Sequence, residues 1–278
     1  MTLKRKIEKQ FFDFNNFKAD LDNPKLLSEK LCYRKLIKPP KKIINLTDKL
    51  KVREYVEKNI GESYLPKLLF ISEYGDFIDA SHIRLPQFVI KTNHDSGGVI
   101  LCRNPLSFNW ERAKEKLSNH IVRDYYNLYY EPQYKDIDRK IFVEEYICDV
   151  SSETGIANEY KFYCFNGEPI LVKCEVVYNH KKRTSFFDVN WKRLHIKYND
   201  NRNQVDNPQK PEKFDEMIEV VKDLSKGFKF IRIDLYQSSN KVYFGEVNFS
   251  PAGGYKVFSP LEFEREMGDN LIFDSKHW

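Results

Sequence analysis

Phe230-Ile-Arg-Ile-Asp-Leu-Tyr-Gln-Ser-Ser-Asn-Lys-Val-Tyr-Phe-Gly-Glu-Val-Asn-Phe-Ser-Pro-Ala-Gly-Gly254 alternates apolar and polar residues along two runs, Phe230 to Tyr236 and Lys241 to Phe249. That period of two is the signature of a half-buried β-hairpin. Ile231, Ile233 and Leu235 share one face of the first run and Arg232 and Asp234 the other, while on the second run Tyr243 and Val247 oppose Glu246 and Asn248. For both apolar sets to meet one core, Ile231 must pair with Val247 and Ile233 with Gly245. This register centres the turn on Ser239, makes Asn240 the left-handed residue of a three-residue loop, and sets Arg232 opposite Glu246 with Asp234 diagonal to it. Asp234, Glu246 and Asn248 then offer two carboxylates and an amide oxygen on one sheet face, a donor set that suits Mg²⁺ shared with substrate phosphates. A solvated face with Arg232 as a cross-strand ion-pair partner satisfies the same pattern. The Pro251-Ala-Gly-Gly254 turn just beyond favours the metal reading, because paired glycines let backbone approach a ligand.

Upstream, Phe88-Val-Ile-Lys91 is an apolar strand ending in a lysine, followed by the loop Thr92-Asn-His-Asp-Ser-Gly-Gly98 and a second apolar run, Val99-Ile-Leu101. Backbone N–H groups at Ser96, Gly97 and Gly98 can turn onto a phosphate, and Lys91 adds a point charge. His94, alone in a polar loop, is expected to be solvated. Phe142-Val-Glu-Glu-Tyr-Ile147 puts Glu144 and Glu145 into an otherwise apolar strand, where burial is costly unless they bind something, a purine amine being one partner. Lys161, near the start of the strand Tyr160 to Phe165, reads equally as a second phosphate-facing cation or as a surface lysine.

The remaining pattern is α+β with mainly antiparallel pairing. Strands are expected at Leu68 to Ser72 and Ile141 to Ile147, and a hairpin joins Tyr160–Phe165 to Pro169–Val177 through Asn166-Gly167. Helices are expected at Lys49 to Asn59, Trp110 to Tyr126 and Glu212 to Lys226, with the basic Lys38-Pro-Pro-Lys-Lys-Ile43 ending an N-terminal helical region. No Gly-x-Gly-x-x-Gly or Walker lysine motif supports a Rossmann or P-loop sheet.

Composition narrows the function classes. With 41% hydrophobic and 31% charged residues the chain is neither disordered nor fibrous. Its net charge of +5, from 46 basic and 41 acidic residues spread along the chain, falls short of a nucleic-acid footprint. Five scattered cysteines form no Cys-x-x-Cys or zinc spacing and read as reduced and mostly buried. No run approaches the roughly 20 apolar residues of a membrane span. Charge in Met1-Thr-Leu-Lys-Arg-Lys6 interrupts any signal core, so a cytoplasmic location is expected.

Taken in order, the strand-lysine with its glycine loop, Val143-Glu-Glu-Tyr-Ile147, Glu159-Tyr-Lys-Phe-Tyr-Cys-Phe-Asn-Gly-Glu-Pro169 and the Arg232-to-Gly254 hairpin resemble the ATP-grasp fold, in its teichuronopeptide-synthesis (TupA-like) branch. The resemblance covers about Leu46 to Phe273. It implies an N-terminal helical region (1–45), a preceding segment (46–85), a lid subdomain (86–147) and a C-terminal subdomain (148–278) that enclose ATP with Mg²⁺. It also implies an ATP-dependent carboxylate–amine ligase working through an acyl phosphate, on a uronic-acid sugar, free or nucleotide- or lipid-linked, and an amine, in capsule, O-antigen or cell-wall polysaccharide synthesis. By the same resemblance Lys91 and Lys161 are the phosphate lysines, Ser96, Gly97 and Gly98 the phosphate-covering loop, and Glu144, Glu145, Tyr146 and Ile147 the adenine linker. Glu159 is the ribose partner, Asp234, Glu246 and Asn248 are the magnesium ligands, and Arg183, backed by Arg232, faces the acyl-phosphate oxygens. Asp95 departs from the branch, which usually has a further glycine there. Two other readings stand beside this one: a glycosyltransferase using Asp136-Ile-Asp138, and an ATP-grasp phosphotransferase acting on a hydroxyl.

Overall fold

Alternating apolar strands dominate the chain; among the described residues they assemble into two larger antiparallel sheets that frame the site and a short two-stranded one, in which Lys197–Tyr198 pairs with Phe258–Ser259. The computed structural model describes residues 1–72, 86–149, 155–178, 181–198, 208–239, 241–272 and 278. Helices α1 (Leu3–Asn15), α2 (Leu27–Arg34), α3 (Lys41–Thr47) and α4 (Val52–Ile60) lead into strands β1 (Leu68–Ser72), β2 (Phe88–Thr92) and β3 (Val99–Cys102). Helices α5 (Trp110–Ile121) and α6 (Tyr126–Tyr129) then precede β4 (Ile141–Glu145). Next come β5 (Glu159–Phe165), β6 (Glu168–Tyr178), β7 (Lys181–Phe187), β8 (Arg193–Leu194) and β9 (Lys197–Tyr198). Helix α7 (Phe214–Ser225), the hairpin β10 (Phe230–Ser238) and β11 (Lys241–Asn248), β12 (Phe258–Ser259) and α8 (Leu261–Asn270) complete the described α-helices and strands. None of the described helices is long and apolar enough to cross a membrane.

The smaller sheet has the order β1-β4-β2-β3 and carries α5 on one face through Phe88, Ile90, Leu117, Ile121 and Val143. Strand β1 is therefore part of this sheet, paired antiparallel with β4. The larger sheet runs β11-β10-β5-β6-β7-β8. One face packs on α7, whose Met217, Val221 and Leu224 at helical spacing are fully buried against Phe162, Val172, Ile231 and Ile233. The other face is covered only in part. Tyr163, Phe165, Leu171 and Phe186 meet α2 and α8 through Leu27, Leu31 and Met267, which leaves the polar residues of β5, β6, β10 and β11 to line a cleft.

Several element ends differ from the sequence expectation. The Lys38–Ile43 stretch begins a helix rather than ending one: α3 starts after Pro40, whose fixed φ suits a helix entry. Helix α4 starts at Val52, because Asp48 turns its carboxylate to the Leu50 N–H (2.9 Å) and the Asn93 side chain (2.9 Å). Helix α5 stops at Ile121 and the chain resumes as the short α6. Four of the five cysteines are buried and all five are free.

The register of the last hairpin also differs. Ile233 pairs with Val247, Asp234 with Glu246 and Arg232 with Asn248, and beyond Asp234 the pairing slips by one residue so that Leu235 meets Phe244 and Ser238 meets Lys241. The slip is a β-bulge at Gly245, where an added Cβ would lie 2.6 Å from the Tyr236 ring and 3.0 Å from the Asp234 carbonyl. It moves the buried set on β11 to Val242, Phe244 and Val247, leaving Tyr243 off the core face. Only two residues then link the strands, Ser239 taking φ +50°; Asn240 lies outside the described residues.

Candidate active site

Strand alternation decides which side chains reach the cleft. On β5, Tyr160, Phe162 and Cys164 face α7, so Glu159, Lys161 and Tyr163 face the other way. Asp234 pairs with Lys161 and Tyr236 with Glu159 across β10 and β5, and Lys173 and Glu175 of β6 join the same face. The result is a continuous chain of charges. Tyr236 donates to Glu159 (3.0 Å), and Lys161 bridges Glu159 (2.9 Å), Asp234 (3.0 Å) and Glu175 (3.4 Å). Arg232 grips both oxygens of Asp234 through Nε and Nη2 (2.7 Å each), and Nη2 also reaches Glu246 (3.0 Å). Lys173 (2.6 Å) and Lys182 (2.8 Å) close on Glu175.

The electrostatics follow from burial. Burial works against the charge of Lys161, but Asp234 and Glu159 outweigh it and hold its ammonium above the ordinary range. The same contest, with Asp234 and Glu246 as partners, keeps Arg232 cationic. Glu175 is held well below the usual carboxylate range: burial opposes its charge, and Lys161, Lys173 and Lys182 overcome that. Lys173 goes the other way, burial bringing it down to about 8 despite Glu175. Buried charges are tolerated only when paired, and a cleft with this many of both signs can exchange protein partners for phosphates, carboxylates and metal.

Two cavities adjoin this chain. One, of about 210 Å³, is largely apolar and lies between the sheets, with Val89, Val99, Leu101, Ile156, Ala157 and Phe244 around Lys91, Glu144, Glu145, Tyr146 and Ile147. The ladder stops at Glu145, so Tyr146 and Ile147 form its rim. Neither glutamate is a stray charge in the strand. Glu144 pairs with Lys91 and Arg53 (3.7 Å), and Glu145 accepts from the Lys67 N–H (2.9 Å). The second cavity, of about 320 Å³, contains Ser96, Lys161, Arg232, Glu246 and Asn248 with Asp95, Glu131, Ser250, Ala252 and an aromatic wall. Tyr236 borders the first cavity and is joined to the second through Glu159 and Lys161.

The loop after β2 explains the acidic residue within it. Asp95 is buried, its carboxylate taken by Thr92 Oγ1 and His120 Nδ1, while Lys49 Nζ donates to its carbonyl. This packs the loop base and leaves Ser96 and Gly97 exposed at its tip, Gly97 with φ +90°. A Cβ on Gly98 would lie 1.8 Å from Thr92 Oγ1, so only glycine fits there. His94 is buried rather than solvated, and burial lowers its pKa.

As a metal platform, Asp234 and Glu246 are direct cross-strand partners, and the Arg232 guanidinium lies between their carboxylates. Positive charge is thus already accommodated where the two acids converge. Asn248 Oδ1 accepts from the Ser250 N–H (2.9 Å), which fixes the amide beside them. Among the described residues no three His, Cys, Asp or Glu side chains form a closed cage. Two carboxylates with one amide oxygen fit Mg²⁺, which takes its remaining oxygens from phosphate and water.

Of the expected site residues, Lys91 and Glu144 to Ile147 border the first cavity, Ser96, Lys161, Arg232, Glu246 and Asn248 border the second, and Glu159 and Asp234 join the charge chain, whereas Gly97 and Gly98 line neither cavity and Arg183 lies apart. Arg183 pairs with Val176 on β7, so it shares the α7 face, whereas Lys182 points into the cleft toward Glu175 and Glu159. We therefore expect Arg183→Lys to leave turnover within about twofold of wild type and Lys182→Ala to raise the KM for ATP a few-fold, the scale of a half-exposed ion pair; parallel steady-state kinetics of the two variants will check this. Several cleft cations carry no assignment from the sequence, among them Lys173, Lys182, Lys49 and Lys256. Lys173 and Lys182 were visible in strand alternation alone, but Lys49 was not, because it reaches the cleft only through tertiary packing. Burial lowers the pKa of Lys49 despite the nearby Glu246, Asp95 and Asp48.

The TupA-like ATPgrasp family model matches residues 29–272. No match was found among curated proteins. Among solved structures, a D-alanine–D-alanine ligase from Bacillus anthracis complexed with ATP is 12% identical, with 90% of this chain and 66% of that one covered and a TM-score of 0.45. The D-alanine–D-alanine ligase from Helicobacter pylori is 14% identical, with coverages of 82% and 61% and a TM-score of 0.42. The N5-carboxyaminoimidazole synthase from Aspergillus clavatus is 10% identical, with coverages of 77% and 47% and a TM-score of 0.44. The chain thus spans two thirds or less of the length of these proteins.

Proposed function

The chain belongs to the TupA-like ATP-grasp family, and from that premise we propose that it is an ATP-dependent carboxylate–amine ligase that amidates a uronic-acid sugar in polysaccharide synthesis. The observation that carries the reading is the charge chain from Tyr236 to Glu246, which joins an apolar, base-sized cavity to a cavity holding cations and metal-type oxygens. Adenine fits among Val89, Leu101 and Phe244 with its edge at Glu145 to Ile147, and Glu159 lies beside the ribose. Lys91 and Lys161 meet the phosphates under Ser96 to Gly98.

In the first step an oxygen of the acceptor carboxylate attacks the γ-phosphorus, the bond to the bridging oxygen breaks, and ADP leaves. The amine then attacks the acyl-phosphate carbon, inorganic phosphate departs, and an amide remains. Lys161 and Arg232 hold the charge that moves between these oxygens, preorganised by the same carboxylates that keep them protonated. Magnesium, held by Asp234, Glu246 and Asn248, would neutralise phosphate oxygens. No cysteine is needed as a nucleophile. The location expected for such chemistry is the cytoplasm.

Lys91→Met is expected to weaken ATP binding by about tenfold or more while changing kcat little, since a point charge on non-reacting phosphates serves ground and transition states alike. An unchanged dissociation constant in equilibrium dialysis would count against the assignment. The function itself is tested by mass spectrometry of mixtures of ATP, Mg²⁺, glucuronic or galacturonic acid or their UDP-linked forms, and the common amino acids and ethanolamine. An amide product with ADP is expected. Sugar transfer without ATP use would favour a glycosyltransferase, and a phosphorylated sugar would favour phosphotransfer to a hydroxyl.

A further inference from the structure

Of the acidic groups bordering the second cavity, Glu246 belongs to the metal-type set and Asp95 is held by Thr92 and His120, which leaves Glu131. Glu131 follows α6, where Tyr130 adopts a left-handed φ of +55° and Pro132 comes next, a combination that turns the glutamate inward. Only 2% of it is exposed, yet it borders the cavity. Its Oε1 accepts from Gln133 Nε2 (3.1 Å), which also donates to Ser250 Oγ (3.3 Å), tying Glu131 to the turn beyond the metal-type ligands. Among the described residues Oε2 takes no hydrogen bond and no cation lies within ion-pair distance. Lys35, itself buried with Nζ 3.4 Å from the centre of the Tyr255 ring, and Arg232 are the cations that bear on it from further off, and Glu246 opposes its charge. Burial, against Lys35, pushes Glu131 up to about 7.

Around it stand tyrosines. Tyr125 packs against Tyr129 (5.8 Å between ring centres) and Tyr134 (4.7 Å), both edge-on, and all three border the cavity with Phe14 of α1. A buried carboxylate in a cavity bordered by three tyrosine rings offers an organic cation an ion-pair partner and aromatic surface together. The other side of the cavity has the opposite character, with Lys161, Arg232 and Lys256, and suits the acidic substrate.

We infer that Glu131, walled by Tyr125, Tyr129 and Tyr134, is the subsite for the ammonium group of the amine substrate. This rests on the ligase reading and deepens it: acidic and amine substrates enter one cavity at ends of opposite charge, with the N-terminal helix supplying part of the wall. The ammonium gives a proton to the Glu131 carboxylate, the freed lone pair forms the C–N bond as the C–O bond to phosphate breaks, and the second nitrogen proton leaves with inorganic phosphate.

The inference is tested in two arms on the full chain. In an NMR titration, ethanolamine hydrochloride is expected to bind at least about tenfold more tightly than ethylene glycol, its uncharged analogue, and Glu131→Gln to erase that preference. In turnover with ATP and the uronates, Glu131→Gln is expected to lower amide formation tenfold or more through the KM for amine, while hydroxamate formation with hydroxylamine, an unprotonated nucleophile at neutral pH, stays near wild type. Equal binding of the two probes, an undiminished preference in Glu131→Gln, or equal loss of amide and hydroxamate would overturn the inference. Ethanolamine preference without any hydroxamate in the wild type leaves the cation subsite standing and removes the ligase reading instead.

Discussion

Asp234→Asn is expected to lower ATP turnover by at least about 10³-fold. Asp234 is fully buried, both its oxygens engage Arg232, one also meets Lys161, and it stands directly across from Glu246. Asparagine keeps the shape and loses the charge. The loss removes one of two metal-type carboxylates and the anion that orients a transition-state cation, two effects of the size seen when preorganised electrostatic groups are removed. The fold is expected to survive because Arg232 retains Glu246, and Lys161 retains Glu159 and Glu175. Breaking a buried ion pair still costs about 3–5 kcal/mol, so a lower Tm is expected with an unchanged circular dichroism spectrum. Turnover at the wild-type rate with normal magnesium dependence would remove Asp234 from the metal site.

Arg232→Lys is expected to lower kcat by about 10² or more with little change in ATP affinity. The guanidinium engages three carboxylate oxygens of two residues at once, a planar bidentate grip that a lysine ammonium cannot reproduce. When a phosphoryl group and an acceptor carboxylate enter, the same fork presents two donors to oxygens whose charge is changing, and losing one such donor slows turnover by orders of magnitude. Steady-state kinetics with separate nucleotide titrations will check it. A kcat within threefold of wild type would assign Arg232 to holding the hairpin together.

Much of this site is legible in the sequence because period-two alternation is read directly from residues. Glu159, Lys161, Asp234 and Glu246 fall on one sheet face by counting alone, and Lys91 with its glycine loop is visible between two apolar runs. Counting fails where geometry is irregular. The Gly245 bulge reverses the phase of β11 halfway along, so a register built from an unbroken alternation pairs the wrong residues even though Glu246 and Asn248 still face the site. Arg183 fails for a different reason: alternation along β7 in its pairing with β6 puts Lys182 in the cleft and Arg183 on the opposite face, whereas the family resemblance points to Arg183. Lys49 and Glu131 carry no local signal at all, one lying between α3 and α4 and the other between α6 and a proline, and only tertiary packing brings Lys49 to the Asp95 carbonyl and Glu131 to the cavity.

Central to the account is an acyl phosphate formed from the acceptor carboxylate, and oxygen tracing tests it most directly. In a turnover mixture whose uronate is labelled with ¹⁸O in its carboxyl group, each amide formed is expected to deliver one ¹⁸O atom to the released inorganic phosphate, with ADP produced in equal amount. Phosphate that carries no label while the amide accumulates would contradict the account, because the carboxylate oxygen would then never have been joined to the γ-phosphorus.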